Sequence, residues 1–277
     1  MPELFEMQAL SERLTASFEG LTLASLELRQ FSALKTVEPG PDEVVGKTLE
    51  AVGRRGKYLS FSFGPVRVVV HLSQGGRIDV EDPPKNTKPK GSVARFRFES
   101  GPSLLIKEFG TERKAALWIL DGEDPGPFEN LGPEPTSSEF ERLINEGTDG
   151  RRLHTMLRDQ RTVAGIGRGF SDDILHAAMI SPFDALKSLS AGQRARLLEA
   201  ATEVLGRATE KERERTGGLP AKLHGRFTVH GHFGEPCPRC GDDLKRVSYE
   251  SHEIVYCPRC QTGGKVLADR RLSRLIR

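Results

Sequence analysis

The chain has only four cysteines, one tryptophan and three tyrosines among its 277 residues. Four thiols are too few to staple a disulfide-rich fold of this length. The longest apolar stretches, such as Ala115–Leu120, fall far short of the roughly 18 residues that a membrane-spanning helix needs. The opening MPELFEMQAL carries acids where a secretory signal carries positive charge. These shortages set aside membrane and secreted classes, and a cytoplasmic monomer with no membrane contact is expected. What is present, 36% hydrophobic and 29% charged residues, suits a globular chain of two modest domains.

The formal net charge of +2 conceals an uneven distribution. Residues 51–120 carry thirteen basic against six acidic side chains, and residues 121–150 carry one against nine. Residues 151–277 are basic again. Two basic regions flanking an acidic segment permit a polyanionic partner.

Leu4, Met7, Leu10, Leu14 and Phe18 recur at intervals of three and four, so the spacing predicts a helix over Glu3–Phe18. From Leu21 to Ile119 the period shortens. The runs Tyr58–Phe63, Val66–Leu72, Arg77–Val80, Ala94–Ser100 and Ser103–Phe109 alternate between turn residues and predict an antiparallel sheet domain. Asp124–Ser138 is rich in proline and glycine and reads as a linker. Helical patterns resume at Ser138–Ile144, Arg152–Leu157, Ser171–Met179 and Ala191–Glu214. The expected fold is α+β and multidomain. It comprises an N-terminal helix with a β-sandwich over 1–123, a linker over 124–137 and a helical domain over 138–225. A zinc ribbon over 226–262 and a basic tail over 263–277 complete it.

The ribbon rests on CPRC at Cys237–Cys240 and again at Cys257–Cys260. Two C-x-x-C knuckles at this separation suit one structural four-thiolate Zn2+ ion, and the intervening VSYESHEIVY reads as a hairpin. Its basic neighbours fit a nucleic acid backbone or equally a solvated surface. TVAGIGRGF, Thr162–Phe170, breaks the helical pattern with three glycines; such a turn either packs helices or aims backbone N–H groups at a phosphate. At the N-terminus, removal of Met1 exposes Pro2 as a secondary amine with Glu3 beside it to move a proton. Read alone, Pro2-Glu3 is an ordinary helix start.

MPELFE, GRRGKYL (Gly53–Leu59), DQRTVAGIGRG (Asp159–Gly169) and the paired CPRC knuckles occur in a fixed order. Together they resemble the formamidopyrimidine-DNA glycosylase/endonuclease VIII family over nearly the whole chain. That resemblance implies a bifunctional DNA glycosylase and abasic-site lyase of base excision repair, acting on damaged double-stranded DNA in a bacterial-type nucleoid. It implies Pro2 as the nucleophile at C1′, Glu3 as acid/base and Glu6 as the second acid of the motif. Lys57 is placed at the lesion phosphate. It also implies DNA contacts from Gly167 and Arg168 of the helix–two-turn–helix module, with Gln74, Lys90, Phe109, His154 and His252 as further contacts.

Several positions depart from the family pattern. Phe5 replaces a proline, Arg168 an asparagine, His154 a lysine and His252 the hairpin arginine. Gln74 stands in place of a methionine, and Lys107–Phe109 in place of Arg-Arg-Phe, leaving Phe109 as the wedge and Glu108 expected to repel phosphate. Gly217–Phe227 looks short for a lid over oxidised purines. Lesion recognition is therefore expected to have diverged from strict 8-oxoguanine excision, with oxidised pyrimidines or abasic sites alone standing beside oxidised purines as substrates. The histidines also leave open a non-cleaving damage-binding relative. A ribbon module for RNA is the third class.

Overall fold

The computed structural model describes residues 1–110, 113–221, 225–249 and 253–267. Contacts divide the chain into two units: Met1–Asn130 with Thr209–Leu223, and Leu131–Ala208 with His224–Arg277.

The first unit begins with α1 (Leu4–Phe18) and continues through β1 (Leu23–Leu28), β2 (Ala51–Arg55), β3 (Tyr58–Phe63) and β4 (Val66–His71). It then adds β5 (Gly76–Glu81), β6 (Ser92–Phe98), β7 (Ser103–Glu108) and β8 (Ala116–Asp121). The strands form two antiparallel four-stranded sheets, ordered β1-β6-β7-β5 and β2-β3-β4-β8. Alternation decides which face is buried: Leu59, Phe61 and Phe63 point inward from β3 while Tyr58, Ser60 and Ser62 are half-buried outside. Phe61 of one sheet stacks on Phe96 of the other at 5.1 Å between centroids, the sandwich contact that the period-2 runs predicted. Met7, Leu10, Leu14 and Phe18 of α1 share this core, each fully buried. Burying side chains of that size contributes about 1.5–3 kcal/mol apiece.

Two arginines strap the segment after residue 208 to this unit. Arg13 donates to the carbonyls of Glu212 and Gly217, at 2.8 and 3.0 Å. Arg77 donates to the Pro220 carbonyl at 2.7 Å, and the Leu219 N–H joins the edge of β5 at Ile78, also at 2.7 Å. The start of the expected lid segment, Gly217–Pro220, is thus tied down, and Lys222–His224 lie outside the described residues.

The second unit contains α2 (Ser138–Glu146), α3 (Leu153–Arg158), α4 (Arg168–Ala177) and most of α5 (Ala191–Arg213). It ends in the hairpin β9 (Lys245–Ser248) and β10 (Glu253–Tyr256), followed by α6 (Pro258–Gln261). α4 starts three residues earlier than the sequence pattern suggested. Gly169 lies inside it because the Phe227 ring packs where a Cβ would sit, 2.1 Å from the ring edge. Helical glycine here serves a close approach and does not break the helix.

Candidate active site and nucleic-acid interface

Pro2 and Glu3 precede α1 and are buried, Glu3 in extended conformation as the N-cap. The Glu3 N–H donates to Glu6 Oε2 at 2.6 Å, one arm of a capping box, and Glu6 has no exposed surface. Glu6 thereby fixes the direction in which the chain enters the helix. Further along, Thr15 Oγ1 accepts the Val52 N–H at 2.9 Å, and Arg54 Nε donates to Gln8 Oε1 at 2.9 Å. Arg54 also donates to the Gly56 carbonyl, 3.2 Å away. Gly56 adopts a φ of 57°, which the tight turn between β2 and β3 requires. Lys57 follows it, 3% exposed. The hydrogen-bond chain through Gln8 and Arg54 thus links α1 to the lysine-bearing turn.

Tyr58 of the same turn pairs with His71 across the sheet, ring centroids 4.6 Å apart. Burial, and then the Lys57 charge, depress the His71 imidazole to about 4, so it is neutral at pH 7. Trp118, half-buried, meets Tyr58 edge-on at 5.9 Å on this outer face and is not a core residue.

The loops at one end of β5 and β7 gather three predicted DNA contacts. The Phe109 N–H donates to Gly75 O at 3.0 Å and the Glu108 N–H to Gly91 O at 2.8 Å. A Cβ at Gly75 or Gly91 would stand 2.2 or 2.3 Å from the Phe109 and Glu108 carbonyl oxygens, so these approaches demand glycine. Gln74 and Lys90, each beside one of these glycines, are exposed, as is Phe109. Lys107 pairs with Asp79 and holds its ammonium 5.3 Å over the Phe109 ring.

Glu108 corrects one expectation. It does not face outward to repel phosphate: it is 5% exposed, and its Oε1 accepts the N–H groups of Lys114 and Ala115 at 2.8 and 3.0 Å. A buried carboxylate with backbone donors anchors a loop.

In the second unit, Gln160 frames the glycine turn. Its Oε1 accepts the Gly165 N–H at 2.9 Å, and its Nε2 donates to the carbonyls of Ile166 and Arg158 at 2.7 and 2.9 Å. Gly165 needs its φ of 100° for this shape. Gly167 caps α4 and is buried, and Arg168 opens the helix with an exposed side chain.

His154 is a second correction. Expected at the DNA, it has no exposed surface, and its Nε2 stands 3.3 Å from Asp172 Oδ1. The other oxygen of Asp172 takes the Val255 N–H and lies 2.6 Å from His230 Nδ1. Asp173 accepts the N–H groups of Thr228, Val229 and His230. Burial pushes the Asp173 pKa upward against those three donors. The adjacent acids of α4 therefore bind the stem of the ribbon, a role with no local signature in the sequence. His252 lies outside the described residues.

The four cysteine sulfurs lie within 4.8 Å of one another, with Cys237–Cys260 at 4.0 Å and Cys240–Cys257 at 3.4 Å. Tetrahedral Zn–S bonds of about 2.3 Å imply sulfur separations near 3.8 Å, so the set fits a zinc ion. Burial first, then the neighbouring thiols, push Cys257 to about 11. Cys260 shifts upward for the same reasons, whereas a hydrogen bond to the Asp242 backbone helps bring Cys240 to about 7. Such a cluster carries four thiolates only with a cation among them. His176, missed by sequence reasoning, places Nε2 3.2 Å from Cys237 Sγ; burial, then Arg239, keep its ring neutral. No helix among the described residues is long and apolar enough to cross a membrane.

The family model for the formamidopyrimidine-DNA glycosylase N-terminal domain matches residues 1–111, and that for the H2TH domain of the same glycosylase matches 131–217. The chain is 43% identical to an uncharacterized formamidopyrimidine-DNA glycosylase-like protein of Mycobacterium tuberculosis, over 53% of this chain and 94% of the relative. It is 31% identical to the formamidopyrimidine-DNA glycosylase of Thermus thermophilus over 95% of this chain and all of that one. Among solved structures, a Lactococcus lactis Fpg variant bound to DNA containing Fapy-dG superposes with a TM-score of 0.82 at 26% identity. The match covers 94% of this chain and 100% of that one. Wild-type Lactococcus lactis Fpg bound to DNA with an oxidised pyrimidine gives 0.82 at 25% identity with the same coverage.

Proposed function

The chain belongs to the formamidopyrimidine-DNA glycosylase family, and from that premise we propose a bifunctional enzyme of oxidised-base repair. It removes the damaged base from double-stranded DNA and then cuts the strand at the abasic site.

With Met1 removed, the Pro2 nitrogen is a secondary amine. N-terminal amines titrate near 7.7–8.0, so a useful fraction is unprotonated at neutral pH. Its lone pair forms the bond to C1′ of the extruded deoxyribose, and the departing base takes the glycosidic electron pair and a proton. Opening of the sugar leaves an iminium ion that accepts electrons. Loss of the C2′ proton then expels the 3′ phosphate, and a second elimination removes the 5′ phosphate where the reaction goes to δ. Glu3, adjacent to the amine, supplies and retrieves these protons. Glu6 is a positioning residue that sets the backbone of Glu3. Lys57 brings positive charge to the lesion phosphate. Gln74, Lys90 and Phe109 face the duplex, Phe109 entering the stack that the flipped base leaves. Gly167 and Arg168 hold a phosphate from the second unit. Cys237, Cys240, Cys257 and Cys260 would hold one Zn2+ ion, whose closed thiolate shell supplies folding energy to the ribbon.

The observation that carries this reading is the fixed start of α1, with Pro2 and Glu3 buried and the Glu6 carboxylate accepting the Glu3 backbone N–H. The non-cleaving alternative loses the support it drew from His154, which is a partner of Asp172 inside the unit.

A panel of duplexes carrying an oxidised purine, an oxidised pyrimidine or an abasic site, with products resolved by end chemistry, tests the proposal. Wild-type protein is expected to release oxidised bases and leave elimination ends. Glu3→Gln is expected to slow this by about 10²–10⁴-fold. Binding without base release or strand cleavage would reject the enzymatic reading.

A further inference from the structure

The face of α4 that meets the ribbon carries Asp172, Asp173 and His176, side chains within one helical turn of each other. The two acids bind backbone of the ribbon stem. His176 ends instead at a sulfur. It is 4% exposed, and its Nε2 stands 3.2 Å from Sγ of Cys237, which is itself 3% exposed. An apolar ring would serve for packing alone, because a buried polar nitrogen costs free energy unless it is bonded.

The first knuckle also grips the end of the same helix through its own chain. Arg239, between Cys237 and Cys240, donates to the carbonyls of His176 and Ala177 at 3.0 and 3.1 Å. Both carbonyls belong to the last turn of α4, where the exposed ends of peptide groups and the helix dipole favour a cation. The second knuckle is fastened nearby. Gln261 Oε1 accepts the Cys257 N–H at 2.8 Å, and its Nε2 donates to the Ile180 carbonyl at 2.9 Å. The distance from the His176 ring to Cys237 is thus set by backbone bonds as well as by the ring itself.

Four thiolates around one divalent cation leave the cluster anionic, so each sulfur gains from an N–H donor that draws charge from it. Cys257 Sγ accepts the Cys260 N–H at 3.5 Å, and Cys240 bonds to the backbone of Asp242. Both donors lie within a few residues of the sulfurs they serve. Cys237 is approached from a different element altogether. A metal-bound thiolate has no hydrogen to give, so in that contact His176 Nε2–H must be the donor.

We propose that His176 is a positioning residue of the metal site: its Nε2–H donates to the Cys237 thiolate, stabilises the bound zinc and fastens the first knuckle to α4. The inference rests on the four-thiolate zinc reading above.

The test measures zinc affinity of the full chain by competition with a chromophoric chelator. His176→Phe keeps a ring of similar size and loses the N–H; it is expected to weaken zinc binding by about 10–100-fold. His176→Gln sets an amide N–H near the place of Nε2 and should recover most of that loss. His232→Phe, which removes a ring bonded to Glu235 at 2.9 Å, should bind zinc as wild type does. Wild-type protein loaded with spin-active cadmium in place of zinc reads the bond directly. Scalar coupling across N–H···S–Cd should connect the metal to the His176 Nε2 hydrogen. This spectrum decides the matter should His176→Phe fail to fold. Absence of that coupling, wild-type zinc affinity in His176→Phe, or an equal loss in His232→Phe overturns the proposal. A wild-type chain that binds no stoichiometric zinc overturns instead the four-thiolate reading on which it rests.

Discussion

The Glu6 carboxylate accepts the backbone N–H of Glu3 at 2.6 Å, so the residue that follows Pro2 is held from inside the helix it caps. Glu6→Ala removes that acceptor and is expected to cost about 0.5–2 kcal/mol of stability. Because the lost bond also lets the chain start swing, abasic-site cleavage should fall more than DNA affinity. Glu6→Gln keeps an acceptor oxygen and should recover most of both. Urea unfolding alongside single-turnover cleavage reads the two effects separately.

Glu108 caps two amides of the loop that follows β7. Glu108→Ala leaves those N–H groups without their acceptor and should destabilise the first unit by about 1–3 kcal/mol. An outward, phosphate-repelling Glu108 would predict the reverse, tighter DNA binding with unchanged stability. Denaturation midpoints and duplex affinity for this variant decide between the two.

His71 gives a stability dependence with a definite sign. Its folded pKa lies near 4, below the 6.5 of an exposed imidazole. Between those values the unfolded chain binds the proton and the folded chain does not, so stability falls as pH drops from 6.5 towards 4. His71→Asn should flatten that part of the profile, measured as the urea midpoint against pH. A variant profile parallel to wild type would show that His71 does not contribute.

Metal removal should act on the ribbon. A strong chelator, or Cys257→Ser, is expected to release one zinc ion per chain and abolish the slow amide exchange of β9 and β10. Amides of β3 and β4, in the sandwich core, should keep their protection. Metal analysis with hydrogen exchange checks both parts.

How far the sequence could be read depended on whether the signal was local. β3 and the paired knuckles were legible because alternation and C-x-x-C spacing are local properties. The start of α4 was placed too late because Gly167 and Gly169 look like breakers, whereas Gly169 answers to the distant Phe227 ring. His154 and Glu108 were expected at the DNA because they stand where the family pattern carries a lysine and an arginine. Their burial follows from partners at Asp172 and at Lys114–Ala115 that only the fold supplies. Within the candidate site, residue types at Pro2, Glu3, Glu6 and Lys57 were evident in advance. The bonds that orient them, from Glu6 to Glu3 and from Gln8 through Arg54 to Gly56, were not.

Borohydride reduction of the protein caught on an abasic duplex, followed by proteolysis and mass mapping of the cross-linked peptide, probes the nucleophile itself. The account predicts a deoxyribose adduct on a peptide that begins at Pro2 and lacks Met1. An adduct on Lys57 or another lysine, or on chains that retain Met1, would contradict it.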